Sequence, residues 1–462
     1  MAISVDQQTD AVAKMGEHWP LIDALMGGTA AMRAAKEAYL PREPREDEED
    51  YEYRRKTSTL FPAFERTVGV MAGKPFSKQV TFSKDTPTRI VELAQNIDGE
   101  GRNLHSFASD VMMESLSPGF CGVLVDYTRT EGKAKTQADE RAMGARPYWV
   151  HIRHGQILGW RTGKVDGFVR LTMLRIAETH EVEDGDYGSR AVNRVRVLRI
   201  GSWELWEKPE TGGAYVKVDE GNTTLKAIPF VPFYGKRLGF MRGAPPLLEL
   251  AHQNIKHWQQ QSDQDDSARF ARKRLLVFSG VDNDEAITAS SNSAVKLPVG
   301  AKADIVQGSA ESVTVGRSEL DALEAQMIQT GAELLVAKPG DRTATEAAND
   351  AEANKSDLQR IVEAFEDSLD QCLQFTAEWL KLPEGGHASL FKDFAAGSLS
   401  EATAQLLISL QQAGLITKAT AIREQQRRGI LAPDIDPVAE LEAVKEEGPP
   451  LGTLGLNDDN GQ

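Results

Sequence analysis

Cysteine is almost missing from this 462-residue chain, which has only Cys121 and Cys372. They lie far apart and without metal-ligand spacing, which excludes a disulfide framework and indicates no zinc or other metal site. Both read as small apolar side chains of the interior. No apolar run approaches the roughly 20 residues that a membrane-spanning helix needs. The N-terminal stretch MAISVDQQTDAVAKMGEHW also lacks the charged and then apolar pattern of a signal peptide. The expectation is a chain made and kept in a cytoplasm-like compartment, with no membrane partner. There is no Gly-rich phosphate loop ending in Gly-Lys-Ser or Gly-Lys-Thr, and no Gly-x-Gly-x-x-Gly after a strand. Nucleotide hydrolysis therefore has no visible machinery, and no cofactor is expected. An excess of basic residues is lacking too: Lys and Arg number 53 against 69 Asp and Glu, a net charge of −16. That argues against gripping nucleic acid over a broad basic face, and leaves room for DNA that slides past.

What is present is ordinary for a folded protein, with 40% apolar and 26% charged residues. The length implies more than one packed unit. Residues 17 to 38 carry a helical apolar spacing interrupted by Gly27 and Gly28, which predicts two short helices. The alternating acid and base run from Arg45 to Lys56 reads as a solvated helix face. From 76 to 235, short β-branched and aromatic runs separated by turns predict a sizeable sheet, with one helix from Ile90 to Ser117. The two prolines of IPFVPFY (Ile228–Tyr234) make that segment an edge or a connection. Residues 247 to 277 are helical but dominated by Gln, Asp and His. A helix this polar on every side is expected to pack against copies of itself or to line a wet cavity. A second helix from Ser318 to Ala337 has one narrow seam of Leu320, Leu323, Met327 and Leu334. A long helix from Thr343 to Leu382 is expected to span roughly 60 Å at 1.5 Å per residue. Two more helices, joined at Gly414, are expected between Leu399 and Gly429, ahead of a flexible tail.

Motifs that would carry chemistry are thin. Ser293 to Lys296 fits a serine-x-x-lysine pattern without its partner motifs. His151 and His154 stand three apart in a strand-like run, which sends one inward and one to the surface. Asp282, Asp284 and Glu285 lack the remainder of a calcium loop and read as a solvated turn. The C-terminal helices place Arg423, Arg427 and Arg428 on one helix, as a DNA-reading helix-turn-helix would. The competing reading is a helical cap around Leu406, Leu407, Leu410, Ile416 and Ile422, since three arginines are a thin electrostatic footprint. No catalytic, cofactor-binding or metal-ligating residue is assigned.

Eight short segments in one order carry a resemblance. They are Tyr39-Leu40-Pro41 before the acidic run, Arg66–Gly69 with Gly73–Phe76, Gly122–Tyr127, Ile228–Pro232, Pro245–Leu250, Leu297–Lys302, Arg342–Ala347 and Ala377–Leu380. In these the chain resembles the portal proteins of tailed double-stranded DNA bacteriophages, in particular a compact family long known only as a domain of unknown function. The resemblance runs from residue 17 to about 430. It implies an α+β portal-type fold, a ring of about twelve copies at one capsid vertex, and a structural rather than enzymatic role. The ring would be the channel for genome packaging and ejection. Its partners would be further copies of itself, double-stranded DNA held without sequence preference, the terminase large subunit, a head-tail adaptor, and the major capsid and scaffold proteins.

The same resemblance divides the chain. Residues 1–56 would be an N-terminal helical segment, 57–243 a mixed α/β wing, 244–276 and 316–337 the two stem helices, and 277–315 a small α/β clip. Residues 338–342 would be the tunnel loop, with Lys338, Pro339, Gly340, Asp341 and Arg342 nearest the DNA. Residues 343–396 would hold the long wing helix, 397–440 a helical crown with Arg423, Arg427 and Arg428 as its DNA-facing cations, and 441–462 a flexible tail. Pro339 and Gly340 suit such a loop independently, because they must interrupt a helix. Two other readings stay open at this point, a C-terminal helix-turn-helix DNA-binding protein and a viral hydrolase.

Overall fold

A computed structural model describes residues 4–129, 139, 142–209, 212–272, 275–280, 299–306, 308, 310–335, 355–392, 394, 417–427 and 436–446. The chain divides into two compact units, Met1–Leu390 and Phe391–Gln462, and the architecture is mixed helix and antiparallel sheet, an α+β fold.

The first unit opens with helices α1 (Asp10–Met15), α2 (Trp19–Met26), α3 (Gly28–Ala34), α4 (Glu48–Thr57) and α5 (Ala63–Gly73). Strand β1 (Thr81–Phe82), α6 (Thr88–Leu93) and α7 (Leu104–Leu116) follow, then β2 (Phe120–Tyr127) and β3 (Pro147–Ile152). Five strands come next: β4 (Ile157–Val165), β5 (Phe168–Asp184), β6 (Gly188–Arg199), β7 (Ser202–Glu207) and β8 (Val216–Asn222). After β9 (Phe230–Tyr234), β10 (Lys236–Gly239) and β11 (Arg242–Ala244) the chain becomes helical. It continues with α8 (Leu248–Arg272), the strands β12 (Leu275–Ser279) and β13 (Lys302–Val306), α9 (Ala310–Ala332), α10 (Asp357–Leu380) and β14 (Ala388–Ser389).

Two sheets build the body. The strands β4 to β8 pair in sequence order as an antiparallel meander, and β2 lies between β3 and β9 in a second antiparallel sheet. Strand β2 reads as a nearly continuous apolar run because both of its faces are covered. Phe120 and Leu124 join Ile152, Phe230, Leu174 and Leu198 in a core shared with the five-stranded sheet. The alternate residues turn toward helices: Cys121 Sγ meets the Val111 carbonyl of α7, and the Val125 carbonyl accepts from Trp379 Nε1 of α10 at 2.9 Å. Trp149 on β3 is buried against the same helices, donating to Thr376 Oγ1 at 2.9 Å and lying 5.9 Å from the Phe107 ring. Both cysteines are free and buried, as small apolar side chains. Strand β9 is an edge, as its prolines require, with Pro232 opposite Gly122.

Several expected boundaries move. The single helix foreseen from Ile90 to Ser117 is broken, because Asp98, Gly99, Glu100 and Gly101 form a turn. Asp98 accepts there from the Glu100 and Arg102 amides at 2.9 and 3.1 Å. The charge run of α4 is not wholly solvated. Arg54 is 4% exposed and donates to Glu46 at 2.7 and 2.8 Å and to the Pro41 carbonyl at 2.7 Å. The helix expected from Thr343 to Leu382 has its N-terminus at Asp357. Ser356 and Gln359 form a reciprocal capping box there, so this helix has 24 residues, roughly 36 Å. Its face of Leu358, Val362, Phe365, Leu369, Leu373 and Thr376 is buried as the spacing foretold.

In the second unit, α11 (Lys418–Arg427) and α12 (Pro437–Glu446) pack together. Thr417 caps the first of these, its Oγ1 accepting from the Thr420 amide at 3.1 Å. Helix α12 runs through the boundary at 440 where a flexible tail was expected to begin. Residues 428–435, 395–416 and 447–462, with the expected helix junction at Gly414, lie outside the described residues.

His151 and His154 do not divide into one inward and one surface side chain; both are largely enclosed, His154 meeting Glu114 of α7 while His151 lies against Phe107 with its Nε2 unpartnered among the described residues. His154 places Nδ1 2.6 Å from Glu114 Oε1 and Nε2 3.3 Å from Asp23 of α2. Burial alone would lower the His154 pKa. The hydrogen bonds and charges of Asp23 and Glu114 outweigh it and push the value up to about 9. Burial holds His151 below the usual range, against the pull of Glu114. A raised histidine pKa stabilises the fold fully below its unfolded value of 6.5, and this contribution fades as pH rises through about 9. His154→Gln is therefore expected to lower the melting temperature at pH 6 and to flatten its decline between pH 6.5 and 9. Thermal melts of both proteins across that range are the check, and parallel curves would rule out this ion cluster as the cause.

Candidate functional site

The most unusual construction in the first unit is the arm formed by α8, β12, β13 and α9. The two helices run antiparallel and touch through small or polar residues. Glycines on α9 permit the approach: a Cβ on Gly331 would lie 3.0 Å from Thr67 and 3.7 Å from Leu250, and one on Gly316 would lie 2.1 Å from Gln264 Oε1. Between these points His257 Nε2 lies 3.2 Å from Glu324 Oε1, and Gln264 donates to the Val313 carbonyl at 2.7 Å. Leu320, Leu323, Met327 and Leu334 are buried along the predicted seam.

The expectation that so polar a helix as α8 cannot be core is corrected at its root. Asn254 is fully buried, accepting from the Phe64 amide and donating to the Phe61 carbonyl, each at 2.9 Å. Ser262 is buried against Ser58 at 3.0 Å. Asn254 and Ser262 thus pair with the segments around α4 and α5 inside the same chain, while Gln253 Oε1, His257 Nδ1, Trp258 Nε1 and Gln260 Oε1 of this half are buried without a hydrogen-bond partner among the described residues. Unlike the root, the distal half has no buried residue among those described: burial stops at Ser262 on α8 and begins at Leu320 on α9.

That distal half carries apolar side chains in solvent. Phe270, Val277, Ile305 and Val315 are exposed, and nearer the root Ile328 is 71% exposed although it lies beside the seam. At the tip, β12 and β13 pair only with each other among the described residues, from Leu275 opposite Val306 to Ser279 opposite Lys302. A two-stranded sheet is marginal in water, and its two open edges present unpaired amides and carbonyls that a further strand can satisfy. The sequence reading found the seam and missed the off-seam residues. The signal was there, in Val315 and Ile328, which fall outside the 320-323-327-334 spacing.

The residues assigned from sequence are scattered by comparison. The helix α9 is followed by a short turn to Leu335, and Lys338, Pro339, Gly340, Asp341 and Arg342 lie outside the described residues, as do Ser293 to Lys296, Asp282, Asp284 and Glu285. Arg423 is exposed on α11, Arg427 closes that helix, and Arg428 lies outside the described residues. Among the described residues, no three His, Cys, Asp or Glu side chains are grouped to hold a metal ion, and no helix is long and apolar enough to cross a membrane.

Comparison with known proteins gives the following. Residues 246–380, which contain the arm and α10, match the family model described as a domain of unknown function, DUF4055. No curated protein matches. Solved structures similar to this chain include the neck of a native gene transfer agent (GTA) particle computed with C12 symmetry, at 11% identity, 80% of this chain, 89% of that chain and a TM-score of 0.38. The virion of a native gene transfer agent particle is similar at 12% identity, 86% and 98% coverage, and a TM-score of 0.42. The neck of an empty particle computed with C6 symmetry gives 12%, 80%, 90% and 0.41.

The seam has a direct test. Met327 is 1% exposed, so Met327→Ala should cost about 2 to 5 kcal/mol locally. Hydrogen exchange is expected to quicken across 310–332 and the facing part of α8, while β2 and its neighbours keep their protection. Unchanged exchange in both helices would mean that this seam does not hold the arm.

Proposed function

We propose that this chain is the portal subunit of a tailed phage or phage-like particle, a structural ring protein of the virion through which genomic DNA passes. The observation that carries the proposal is the arm. Its root pairs Asn254 and Ser262 within the chain, while its distal half presents, among the described residues, strand edges and apolar side chains that are left open to further molecules. The eight sequence landmarks support the same reading, and four of them flank or lie within the arm and α10. In this reading the two helices are the stem, and β12 with β13 belongs to a clip that takes the packaging motor first and an adaptor later. The negative net charge suits a conduit that does not retain the phosphate backbone.

Purified protein is expected to form closed rings without nucleotide or added metal. Negative-stain images should show a central hole, and mass measurement should give a multiple of 50.6 kDa. A monomer at micromolar concentration across a range of salt would overturn the proposal.

The proposal extends to Lys338–Arg342, which would be the part of the chain closest to passing DNA. Two cations flank a Pro-Gly break, too few to anchor a duplex and screened at physiological salt. Replacing Lys338 and Arg342 with Ala or Glu should leave ring assembly unchanged and alter DNA packaging or retention. Wild-type behaviour in all three would reduce the segment to a connector.

A further inference from the structure

The five-stranded sheet carries two features that the channel reading does not use. The first is a groove of about 650 Å3 on one face, bounded by Arg161, Arg175, Arg199, Trp160, Trp206 and Tyr215. Register places the three arginines together, since Arg161 is opposite Met173, Met173 is opposite Arg199, and Arg175 is opposite Gly159. Arg175 is built into this site. It is 7% exposed, its Nη1 donates to the Ser4 and Val5 carbonyls at 2.9 and 2.7 Å, and its Nε has no partner. Gly159 makes the room, because a Cβ there would lie 2.8 Å from Arg175 Nη2. Arg161 and Arg199 are exposed and form no ion pair among the described residues. The carboxylates nearby are Asp6, which acts on Arg175 and Tyr215 from the N-terminal segment, and Glu204, which accepts from Trp206 Nε1 at 3.0 Å. Three guanidinium groups thus face two carboxylates, with aromatic walls.

The second feature is the hairpin of β5 and β6. Pairing with β4 ends at Ile176, and pairing with β7 ends at Arg194. Beyond these points the two strands continue alone to Asp184 opposite Gly188. This free end carries Glu181, Glu183, Asp184 and Asp186, with no cation between residues 181 and 187, and none of the four forms an ion pair among the described residues. Tyr187, in the connecting loop, is fully exposed.

We infer that the acidic hairpin tip of one copy docks into the arginine-lined groove of the next, forming a head-to-tail contact between copies. The tip cannot reach its own groove. Asp184 lies nine residues along β5 from Arg175, roughly 30 Å at 3.3 Å per residue. Charge selects the occupant: four carboxylates meet a groove whose three guanidinium groups outnumber its two carboxylates, and the Tyr187 ring can lie against a guanidinium face. A contact between two different patches is heterologous, and repeated around an axis it closes a ring.

The test is a charge-reversal cycle in the full chain. Reversing the groove (Arg161→Glu with Arg199→Glu) or the tip (Glu183→Lys with Asp184→Lys) should each raise the concentration needed for assembly about tenfold or more at low salt. Combining all four substitutions should restore most of that loss. The substituted residues are exposed, and unchanged thermal melts would verify folding. Separately, mixing Tyr187→Cys protein with Arg199→Cys protein should give an intermolecular disulfide, because the native cysteines are buried. The cross-link reads the contact even in an open chain of copies, so it can succeed where the ring reading fails. The inference is overturned if the single reversals leave assembly unchanged, if the combined variant shows no recovery, or if no cross-link forms. Binding of a single-stranded oligonucleotide to the groove that persists in the tip-reversed protein and competes with the cross-link would also overturn it, assigning the groove to nucleic acid.

Discussion

Strand β2 begins where two backbones touch without a side chain between them. Gly119 has a φ of +82°, and a Cβ there would lie 2.0 Å from the carbonyl carbon of Ala244. A Cβ on Gly243 would in turn lie 2.4 Å from the Gly119 carbonyl oxygen. The contact fixes the start of the most buried strand against the last residues before α8, so the root of the arm and the centre of the body share one point of attachment. Burial of β2 on both faces follows, with the five-stranded sheet packed on one side and α7 and α10 on the other. An L residue at Gly119 would need both an unfavourable φ and displaced backbone.

The arm then divides into two chemical regimes. Near the attachment, polar side chains replace the apolar packing that a helix usually brings to a core. Asn254 bridges the Phe61 carbonyl and the Phe64 amide, and His257 meets Glu324. Directional groups of this kind fix orientation, because a shift of one residue would leave buried donors and acceptors without partners. Farther out the composition stays polar and pairing continues without buried residues, Gln264 donating to the Val313 carbonyl and Arg269 to Thr57 Oγ1. The same helix is therefore packed into one chain at its base and more open to solvent beyond Ser262, among the described residues.

How much of this was legible in the sequence depends on the range of the interaction. Short-range patterns were readable: the apolar face of α10, the edge character given to β9 by its prolines, and the two short helices α2 and α3 around the Gly27-Gly28 break. The N-terminus of α10 was also readable but was overlooked, since Ser356 and Gln359 form the S-x-x-Q capping signature. Long-range satisfaction was hidden. Nothing local marks Arg54 as the one buried cation in a run of charges, because its partners are Glu46, the Pro41 carbonyl and Ser262, the last 208 positions away. Likewise, Glu114 of α7 holds His154 at 2.6 Å from 40 positions away, a pairing that strand periodicity alone could not foresee. The chemistry assigned to Lys338–Arg342 remains a matter of sequence.

Net charge gives little guidance to where charge is compensated, and β6 shows why. Alternation sends Arg194 and Arg196 to one face, where Glu207 lies 2.8 Å from Arg194, while Glu178 and Asp126 hold Arg196 between the two sheets. It sends Arg199 to the opposite face, beside Arg175 and Arg161, where acceptors are few. On the far end of the same hairpin the balance reverses, and four carboxylates outnumber the one arginine, Arg190, opposite Val182. A sheet with excess positive charge at one place and excess negative charge roughly 30 Å along the same strand has a polarity that its own two ends cannot neutralise by meeting. Folding back is prevented by the stiffness of the paired strands, and a two-fold dimer would neutralise both ends only if the two patches lay symmetrically about one axis. Head-to-tail association has no such requirement, because each copy gives one end and receives the other, and in a closed ring every such contact would be the same.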